Sequence, residues 1–373
     1  MSRADASTTP RLLLTTAGFD PSFGGPAQSV PRLGIEVARQ GWQVGFWAPD
    51  GSASLLRQRF DLPGGVTLFE GSAEDALDSY KPDLLHDNGI WLPYSHTLAN
   101  LAAKRALSRV VSIRGMLEPW SMKHKALKKR LAWHLYQKRD LQKAALLHVT
   151  AKQEEKAVAA WLPGARMVTV PNAVDLPASV DEAQRDSDPR LAFYIGRIHP
   201  KKGLSMLVEA WAKARPEGWR LHISGPDEAG ETARLQSLVT KHGLADRIAI
   251  TGASYGADKD TLFCRASLFV LPTYSENFGI VVAEALAFGI PVLTTTGTPW
   301  QELQEQDCGW WVAPETDAIE AALREATAAD PAALAAMGAR GRALVERDYS
   351  WQQAASDMIE AYRNLFAKRE GAR

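Results

Sequence analysis

Short apolar runs alternate with amphipathic stretches along nearly the whole chain. This alternation is typical of α/β proteins, in which helices connect strands that pair in parallel. The first half contains strand candidates at residues 11–16, 43–47, 66–69, 83–86, 109–113, 146–150 and 167–170. The second half contains further candidates at residues 191–195, 220–224, 248–251, 268–271, 291–295 and 309–312. The pattern therefore predicts an α/β fold with two parallel sheets.

Residues 176–190, which are rich in Pro, Asp and Ser, separate the two series and are the best candidate for a linker. Two similar α/β halves imply two sheets that face each other across a cleft. We predict an N-terminal domain over residues 1–173 and a C-terminal domain over residues 174–351. The amphipathic end of the chain predicts a last helix, and we expect residues from about 352 to 373 to complete the first domain.

Composition indicates the class of protein and its compartment. The 373 residues carry no net formal charge, so no overall field attracts nucleic acid. Cys264 and Cys308 lie in apolar surroundings, which favours two small buried thiols in a reducing compartment. The N-terminus lacks the apolar core of a signal peptide, and no apolar run approaches the roughly 20 residues of a spanning helix. We expect a cytoplasmic protein, or one that lies on a membrane without crossing it.

The segment from Tyr274 to Glu284 sets two carboxylates, Glu276 and Glu284, on either side of a predicted helix start. It directly follows the apolar strand candidate at residues 268–271. Open α/β sheets bind ligands at the carboxyl ends of their strands, and the free N–H groups of a helix start suit a phosphate. The two acids would then hold hydroxyl groups beside that phosphate. The segment predicts a site for a sugar nucleotide.

Two loops are candidates for contacts with phosphate. Arg197 and Lys202 lie between a strand that ends at Gly196 and a predicted helix. A guanidinium and an ammonium together can neutralise a diphosphate without a metal, although a lysine in such a loop can also be a solvated cation. Gly24 and Gly25 follow the first strand and let a ligand approach the backbone. Their spacing differs from the dinucleotide-binding fingerprint, so NAD is not predicted.

Several motifs occur together in one order along the chain. They are Gly24-Gly25, Pro171-Asn172-Ala-Val-Asp175, Gly196-Arg197, Lys202-Gly203, and Glu276 and Glu284 with Asn277-Phe278-Gly279 between them. From Leu12 to about Phe366, the chain resembles the retaining glycosyltransferases of family 4, which have the GT-B fold of two Rossmann-like domains. Residues 113–120 look like a subgroup that builds bacterial exopolysaccharide or lipopolysaccharide.

The resemblance implies a role for each motif. Arg197 and Lys202 would hold the donor diphosphate, Glu276 the transferred sugar, and Glu284 the ribose. Glu276 would be helped by backbone N–H groups at the helix start, and the turn at residues 252–255 would lie near the base. The implied donor-binding residues are Gly24, Gly25, Gly196, Gly225, Ser254, Tyr255, Asn277, Phe278, Gly279, Ile280 and Glu284.

The chain departs from the family at one place. Many members carry a catalytic-site histidine in the loop after the fifth strand of the first domain, where this chain has Arg114 and Gly115. Arg114 would bind a substrate phosphate or a sugar hydroxyl instead. Alternatively His86, at the end of the preceding strand, fills the gap, although a lone strand-end histidine is more often structural.

The expected reaction uses a UDP- or GDP-linked sugar donor and needs no cofactor or catalytic metal, since the phosphate site has cations of its own. The resemblance implies retention at the anomeric carbon, with the leaving diphosphate taking the acceptor proton. The acceptor would be a hydroxyl of a glycan or lipid-linked molecule in bacterial polysaccharide or lipopolysaccharide assembly. The alternatives are a nucleotide-sugar epimerase of the same fold and a non-catalytic sugar-nucleotide-binding assembly partner.

Residues 121–143 hold eight Lys or Arg and one acid, with Trp133 and Tyr136 among them. Read as one helix, the segment carries a stripe of Leu127, Leu131, His134, Leu135 and Lys138, with the two aromatic residues at its flanks. Such a helix can lie on an anionic membrane, here on the inner leaflet of the plasma membrane. The alternative is a solvated helix whose apolar stripe packs on its own domain. Nucleic acid is not expected as a partner, because no base-stacking motif accompanies the charge.

Overall fold

The computed structural model describes residues 9–123, 125–180, 185 and 189–370, so part of the predicted linker, and His124 in the basic segment, lie outside the described residues. The chain divides into two compact units. The first unit contains the chain up to Asn172 together with the segment from Trp351 onward, and the second unit is Ala173–Ser350. This division falls one residue before the boundaries predicted from the sequence.

The first unit is built on a seven-stranded sheet in which every pair of neighbouring strands is parallel. Its strands are β1 (Arg11–Thr15), β2 (Gln43–Trp47), β3 (Val66–Phe69), β4 (Leu84–Asn88), β5 (Ser108–Ser112), β6 (Leu146–Val149) and β7 (Met167–Thr169). Their spatial order is β3-β2-β1-β4-β5-β6-β7. The helices between them are α1 (Pro26–Arg39), α2 (Leu56–Arg59), α3 (Ala73–Tyr80), α4 (Pro93–Lys104), α5 (Pro119–Lys123), α6 (Ala126–Ala132), α7 (Lys138–Gln142) and α8 (Lys152–Trp161).

The second unit has a six-stranded parallel sheet in the order β10-β9-β8-β11-β12-β13. The strands are β8 (Arg190–Ile195), β9 (Trp219–Ser224), β10 (Ile248–Thr251), β11 (Ala266–Leu271), β12 (Val292–Thr295) and β13 (Gly309–Val312). The helices are α9 (Leu204–Ala214), α10 (Glu231–Lys241), α11 (Gly256–Arg265), α12 (Ile280–Ala287), α13 (Glu302–Glu305), α14 (Thr316–Ala328) and α15 (Pro331–Asp348). The last helix, α16 (Trp351–Glu370), belongs to the first unit.

The predicted α/β fold with parallel sheets is confirmed. Each predicted strand overlaps an observed strand, with both ends within two residues. The agreement has a physical reason, because strands covered by helices on both faces are buried throughout and appear in the sequence as continuous apolar runs. Strand β11 is the clearest case, since all of its residues are buried. Of the two cysteines, Cys308 is buried as predicted, whereas Cys264 is only half-buried.

The prediction of one helix through residues 121–143 is wrong. Lys125 has a left-handed backbone, with φ at +53°, and separates α5 from α6. A π-helical turn at Trp133–Gln137 then joins α6 to α7. A π turn rotates the faces that follow it, so the regular helical spacing assumed from the sequence does not hold through the segment.

The strand order reverses once in each sheet, between β1 and β4 in the first unit and between β8 and β11 in the second. At such a point, the connections that follow the two neighbouring strands run to opposite faces of the sheet. This leaves a crevice at the carboxyl ends of the strands, where ligands bind in open α/β sheets. The loops after these four strands therefore contain the candidate sites.

A buried chain of hydrogen bonds ties α16 to the sheet of the first unit. Tyr362 Oη lies 2.6 Å from His86 Nδ1, and His86 Nε2 lies 2.7 Å from Ser112 Oγ. Ser112 Oγ lies 2.7 Å from His148 Nδ1, and His148 Nε2 lies 2.8 Å from the carbonyl oxygen of Val170. A carbonyl only accepts, so His148 Nε2 must donate. With both histidines neutral, Ser112 then donates to His148, His86 donates to Ser112, and Tyr362 donates to His86.

The two buried histidines of this hydrogen-bonded chain predict that the stability of the protein falls in mild acid. Burial lowers the pKa of His86, and burial also lowers the pKa of His148, to about 3. Below about pH 6.5 the unfolded chain takes up protons that the folded chain cannot accept. Each histidine should therefore cost up to about 1.4 kcal/mol of unfolding free energy per pH unit as the pH falls from about 6.5. Urea unfolding between pH 7.5 and 5.5 measures the loss.

The variant His148→Gln supplies the control for this pH dependence. It removes one of the two buried titrating groups, so its unfolding free energy should depend less steeply on pH below about 6.5. Equal slopes for the variant and the parent chain would show that His148 does not contribute to the pH dependence.

Candidate active site

The loops after β8 and β11 meet at the point where the strand order of the second unit reverses. The backbone N–H of Tyr274 donates to the carbonyl oxygen of Lys201 over 2.9 Å, and Thr273 Oγ1 lies 3.2 Å from the same oxygen. The side chains of Lys202 and Glu276 form an ion pair between the two loops. The structure thus brings together two of the predicted site residues that are far apart in the sequence.

Lys202 is positioned by a short turn that leaves its side chain little freedom. His199 Nδ1 accepts from the N–H of Lys201 over 3.0 Å and caps the 3₁₀ turn Pro200–Lys202. Gly203 follows with φ at +67°, and a Cβ there would lie 2.1 Å from the carbonyl oxygen of Pro272. Only glycine permits this approach, so the Lys202 loop is fixed against the loop after β11.

Glu276 is held from three sides. Its N–H donates to the carbonyl oxygen of Gly297 over 2.7 Å, its Oε1 lies 3.2 Å from Thr273 Oγ1, and its carboxylate pairs with Lys202. The side chains of Lys202 and Glu276 are only 14% and 15% exposed. Each therefore needs the other, because a charge that is largely removed from water is costly without a partner. The pair stays within reach of a ligand.

The start of α12 lies beside this ion pair. Gly279 precedes the helix with φ at +75°, and a Cβ there would lie 3.7 Å from Glu276 Cγ. The first N–H groups of a helix have no partners within it and attract anions. The ring of Phe278 is buried against Trp300, with ring centroids 5.2 Å apart, so Phe278 offers a ligand its backbone only. Ile280 is the first residue of α12.

Glu284 is half-buried in α12 and has a partner that the sequence did not reveal. Its Oε1 lies 2.7 Å from Nζ of Lys259, which comes from α11. Its Oε2 is buried and has no hydrogen-bond partner among the described residues. One carboxylate oxygen is thus fixed by Lys259, and the other remains an unused acceptor for a hydroxyl group.

Arg197 does not point toward the Lys202–Glu276 pair in this structure. Its guanidinium contacts both carboxylate oxygens of Glu228 over 3.1 Å, and its side chain is 62% exposed. An exposed ion pair of this kind contributes about 0–1 kcal/mol, so a ligand can replace Glu228 at little cost. The expectation that Arg197 and Lys202 share one diphosphate stays a prediction.

The predicted glycines of the second unit also serve backbone packing. A Cβ on Gly225 would lie 1.7 Å from the carbonyl oxygen of Gly196, which makes Gly225 essential for the close contact of two strand ends. In the turn that follows β10, Ser254 Oγ lies 3.0 Å from Ser224 Oγ, and the ring of Tyr255 is 74% exposed. Tyr255 is therefore free to stack on a planar ligand group.

Acidic residues in α11 bear on the question of a metal. Asp258 and Asp260 flank Lys259 as an Asp-X-Asp triplet. In the described ranges, no three His, Cys, Asp or Glu side chains lie close enough together to hold a metal ion. Metal independence remains a prediction.

In the first unit, the structure gives different roles to the two residues proposed for the missing histidine position. His86 is completely buried, and both of its ring nitrogens are used in the hydrogen-bonded chain to Tyr362 and Ser112. The alternative that His86 acts in catalysis is therefore wrong. Arg114 is half-buried at the end of β5, and Gly24 and Gly25 lie exposed at the start of α1.

Two family models match the chain, each over less than half of its length. A glycosyl transferase 4-like domain matches residues 24–173, and glycosyl transferases group 1 match residues 177–343. WcaL of Escherichia coli, by name a colanic acid biosynthesis glycosyltransferase, is 31% identical over 170 residues, which are 42% of this chain and 41% of that protein. The chain spans less than half the length of the curated relatives it matches first.

Solved structures show the same fold over nearly the whole chain. Sucrose-phosphate synthase from Thermosynechococcus elongatus has a TM-score of 0.78 and 23% identity, covering 96% of this chain and 100% of that one. HepE from Anabaena, in complex with UDP and glucose, has a TM-score of 0.72 and 19% identity, covering 95% and 100%. Both halves of the chain are thus similar to domains of glycosyl transferases, and the solved structures share its fold.

Proposed function

We propose that the chain transfers a sugar, with retention at the anomeric carbon, from a UDP- or GDP-linked donor to a hydroxyl of a glycan or lipid-linked acceptor. The reaction belongs to bacterial polysaccharide or lipopolysaccharide assembly, as the name of WcaL suggests for that relative. The observation that carries the proposal is the meeting of Lys202 and Glu276 beside the start of α12. A cation, a carboxylate and free helix N–H groups are what a sugar diphosphate requires.

Negative charge grows on the diphosphate as the bond to the sugar breaks. Lys202 and the start of α12 would stabilise that charge. Arg197 would contribute further stabilisation after leaving Glu228. Glu276 would hold hydroxyl groups of the sugar and orient it rather than attack it. The free oxygen of Glu284, fixed through Lys259, would accept from the ribose. The leaving diphosphate would take the acceptor proton on the same face, without a metal.

The base of the donor would lie at the turn that follows β10. HepE was solved in complex with UDP and glucose. In this chain, the exposed ring of Tyr255 at the end of β10 offers a surface on which either a uracil or a guanine can stack. We place the base there because Ser224 and Ser254 join this turn to the strand ends next to Gly196.

A thermal-shift screen of UDP-, GDP- and ADP-sugars tests the proposed donor. A ligand that binds only the folded chain raises the unfolding temperature, so one nucleotide class should raise it clearly more than the others. Incubation with that donor and a candidate acceptor should then release the nucleoside diphosphate. If none of these sugar nucleotides shifts the unfolding temperature, the proposed donor is wrong.

The basic segment of the first unit is the proposed membrane contact. Its buried residues include Trp133, Gln137, Asp140 and Leu141, so Trp133 is not at the flank of an exposed stripe as predicted. By contrast, Leu127, Leu131 and Leu135 are 83%, 62% and 67% exposed. The alternative that these leucines pack on their own domain is therefore wrong.

Exposed leucines among lysines and arginines suit an anionic lipid surface, and we propose that the protein lies there peripherally. No helix in the described ranges has the length and apolar character needed to cross a bilayer. The free chain would leave these leucines in water, whereas the bilayer interface would accept them and the cations would meet lipid phosphates.

The triple variant Lys125→Glu, Lys128→Glu and Arg130→Glu should abolish sedimentation with vesicles that contain anionic lipid. Each basic residue near such a surface contributes about 1 kcal/mol, and reversing three charges turns attraction into repulsion. Lys129 is left unchanged because its Nζ donates to the carbonyl oxygen of Ser121 over 2.7 Å.

The matched control reverses three exposed charges of the second unit, at Arg220, Arg234 and Lys241. It makes the same change in net charge but leaves the basic segment intact, so sedimentation should be nearly unaffected. Equal losses in the two triple variants would show that net charge alone determines the binding. Unchanged sedimentation of the first triple variant would rule out this surface.

A further inference from the structure

Arg114 is a cation without an acidic partner at the carboxyl end of the first unit's sheet. Its Nη1 lies 2.7 Å from Asn172 Oδ1 and 3.2 Å from Ser29 Oγ, and its Nη2 lies 2.7 Å from Asn88 Oδ1. All three partners are neutral. Among the described residues, no carboxylate oxygen lies within 4.0 Å of its guanidinium. Burial lowers the pKa of Arg114 and Glu154 raises it from beyond ion-pair distance, so the guanidinium is stabilised by an acid but has no carboxylate in direct contact.

The cations of the second unit's site provide the contrast. Lys202 pairs with Glu276, Lys259 with Glu284, and Arg197 with Glu228. A half-buried charge normally has such a partner, because removing a charge from water is costly. Burial lowers the pKa of Arg114 to about 10, which leaves it charged at neutral pH. The missing partner is best explained if a ligand supplies it.

Not all of the hydrogen-bond donors of the Arg114 guanidinium have an acceptor. A guanidinium has five N–H groups, and the three neighbouring oxygens account for three of them. The Nε atom is buried and has no acceptor among the described residues. The residue as a whole is half-buried, and Nη2 donates to only one of the three neighbouring oxygens.

The backbone at Arg114 is fixed in an unusual conformation. Its φ of +57° is in the left-handed region, which non-glycine residues seldom adopt and which persists only where the surroundings hold it. The next residue, Gly115, donates its N–H to the carboxylate of Glu154, and this carboxylate also accepts from the N–H of Thr150 over 2.7 Å. The buried Glu154 therefore holds the loop so that Arg114 points at its three neutral partners.

The surroundings of Arg114 leave room for a ligand. Ser29, one of its partners, lies in the first turn of α1, and the N–H of Ser29 donates to the carbonyl oxygen of Gly25 over 3.0 Å. Gly24 has φ at +79°, and a Cβ on Gly24 or on Gly25 would meet no atom within 4 Å. The glycine loop thus offers open backbone near the end of the sheet where Arg114 lies.

We propose that Arg114, held by Ser29, Asn88 and Asn172, forms a binding site in the first unit for an anionic group, a phosphate or a carboxylate, of a substrate. The inference rests on the proposed function for the identity of that substrate. The anion belongs either to the acceptor or to the donor diphosphate, and the shared chemistry is a pair of charged oxygens that a guanidinium can bind.

Calorimetric titration with inorganic phosphate tests the site, in a Lys202→Met background that removes the main cation of the second unit. The Lys202→Met chain should still bind phosphate, and the added change Arg114→Gln should weaken that binding about tenfold, the loss expected for a hydrogen bond to a charged group. Arg114→Lys should weaken it less, because it keeps the charge. Equal phosphate binding with and without Arg114→Gln would overturn the proposal, as would no phosphate binding in the Lys202→Met chain.

A second titration, with UDP and GDP against the single Arg114→Gln variant, identifies the source of the anion. A loss of about tenfold would assign it to the donor diphosphate, and unchanged affinity would assign it to the acceptor. Arg105→Gln, which removes a half-buried cation paired with Asp78, is the matched control and should bind phosphate and nucleotide like the parent. Thermal unfolding of each variant checks the fold. The first titration uses inorganic phosphate and no sugar nucleotide. It therefore tests the anion site at Arg114 even if the proposed donor is wrong.

Discussion

Lys202→Met is expected to lower kcat/KM for the sugar-nucleotide donor about 10³-fold. Methionine keeps most of the aliphatic stem and removes only the ammonium group. Two charge-assisted hydrogen bonds to the diphosphate, at about 1.5–3 kcal/mol each, would account for a loss of this size. Part of the loss should appear in kcat, because charge grows on the diphosphate in the transition state. Release of the nucleoside diphosphate at varied donor concentration measures both constants.

Arg197→Met is the matched control, since it removes a cation from the same loop. Because Arg197 is mostly exposed and is paired with Glu228, solvent screens its charge, and a loss of about tenfold or less is expected. The larger effect of Lys202 thus follows from its burial. If Lys202→Met kept kcat/KM within about threefold of the parent, the assignment of the diphosphate site would be wrong.

A stability measurement separates this functional loss from damage to the fold. Lys202→Met leaves Glu276 largely buried without its cation, which should destabilise the chain, whereas adding Glu276→Gln removes the unpaired charge. The double variant should therefore recover part of the lost unfolding free energy without recovering activity. Urea unfolding of the single and double variants gives the coupling between the two residues.

The sequence predicted the parts of the site that follow directly from strand order. Lys202 and Glu276 are 74 positions apart, yet each lies in the loop after an apolar strand, and those two strands are neighbours in the sheet. Once an open parallel sheet was predicted, loops at the carboxyl ends of its strands were expected to converge. The signal was strong because buried parallel strands are continuous apolar runs.

The partners that the sequence did not reveal come from elements with no local signal. Lys259 reaches Glu284 from the adjacent helix α11, and Glu228 reaches Arg197 from the loop after β9. Both are ordinary surface-type residues in polar stretches, and only the packing of the elements determines which carboxylate meets which cation. Asn88 and Asn172 around Arg114 were missed for the same reason.

Two errors came from patterns that do not determine which face is buried. His86 was expected to end its strand, where a ligand-binding histidine was plausible, but β4 continues to Asn88. His86 therefore lies in mid-strand, and Tyr362 of α16 contacts its Nδ1. In the basic segment, regular helical spacing predicted one continuous face. The left-handed backbone at Lys125 and the π turn at Trp133–Gln137 break that regularity, and they turn Trp133 inward while Leu135 stays exposed.

Glu276→Gln is expected to lower kcat about 10²- to 10³-fold. It also leaves the largely buried Lys202 without its carboxylate, so urea unfolding of the variant checks the fold. Glutamine has nearly the same shape, so the hydrogen bond from the backbone N–H of Glu276 to Gly297 should remain. The variant loses the negative charge that would accept from sugar hydroxyl groups, and each hydrogen bond to a charged group contributes about 1.5–3 kcal/mol. Turnover with the donor identified in the thermal-shift screen measures the loss.

Binding of the nucleoside diphosphate without its sugar shows whether Glu276 holds the sugar or whether the variant weakens the whole site. Lys202 loses a competing carboxylate in Glu276→Gln and becomes a freer cation, so the affinity for the nucleoside diphosphate should stay within about threefold of the parent or increase. The preference for the sugar nucleotide over the bare diphosphate should largely disappear. If the variant kept that preference, Glu276 would not hold the sugar, and its ion pair with Lys202 would serve only to position the cation.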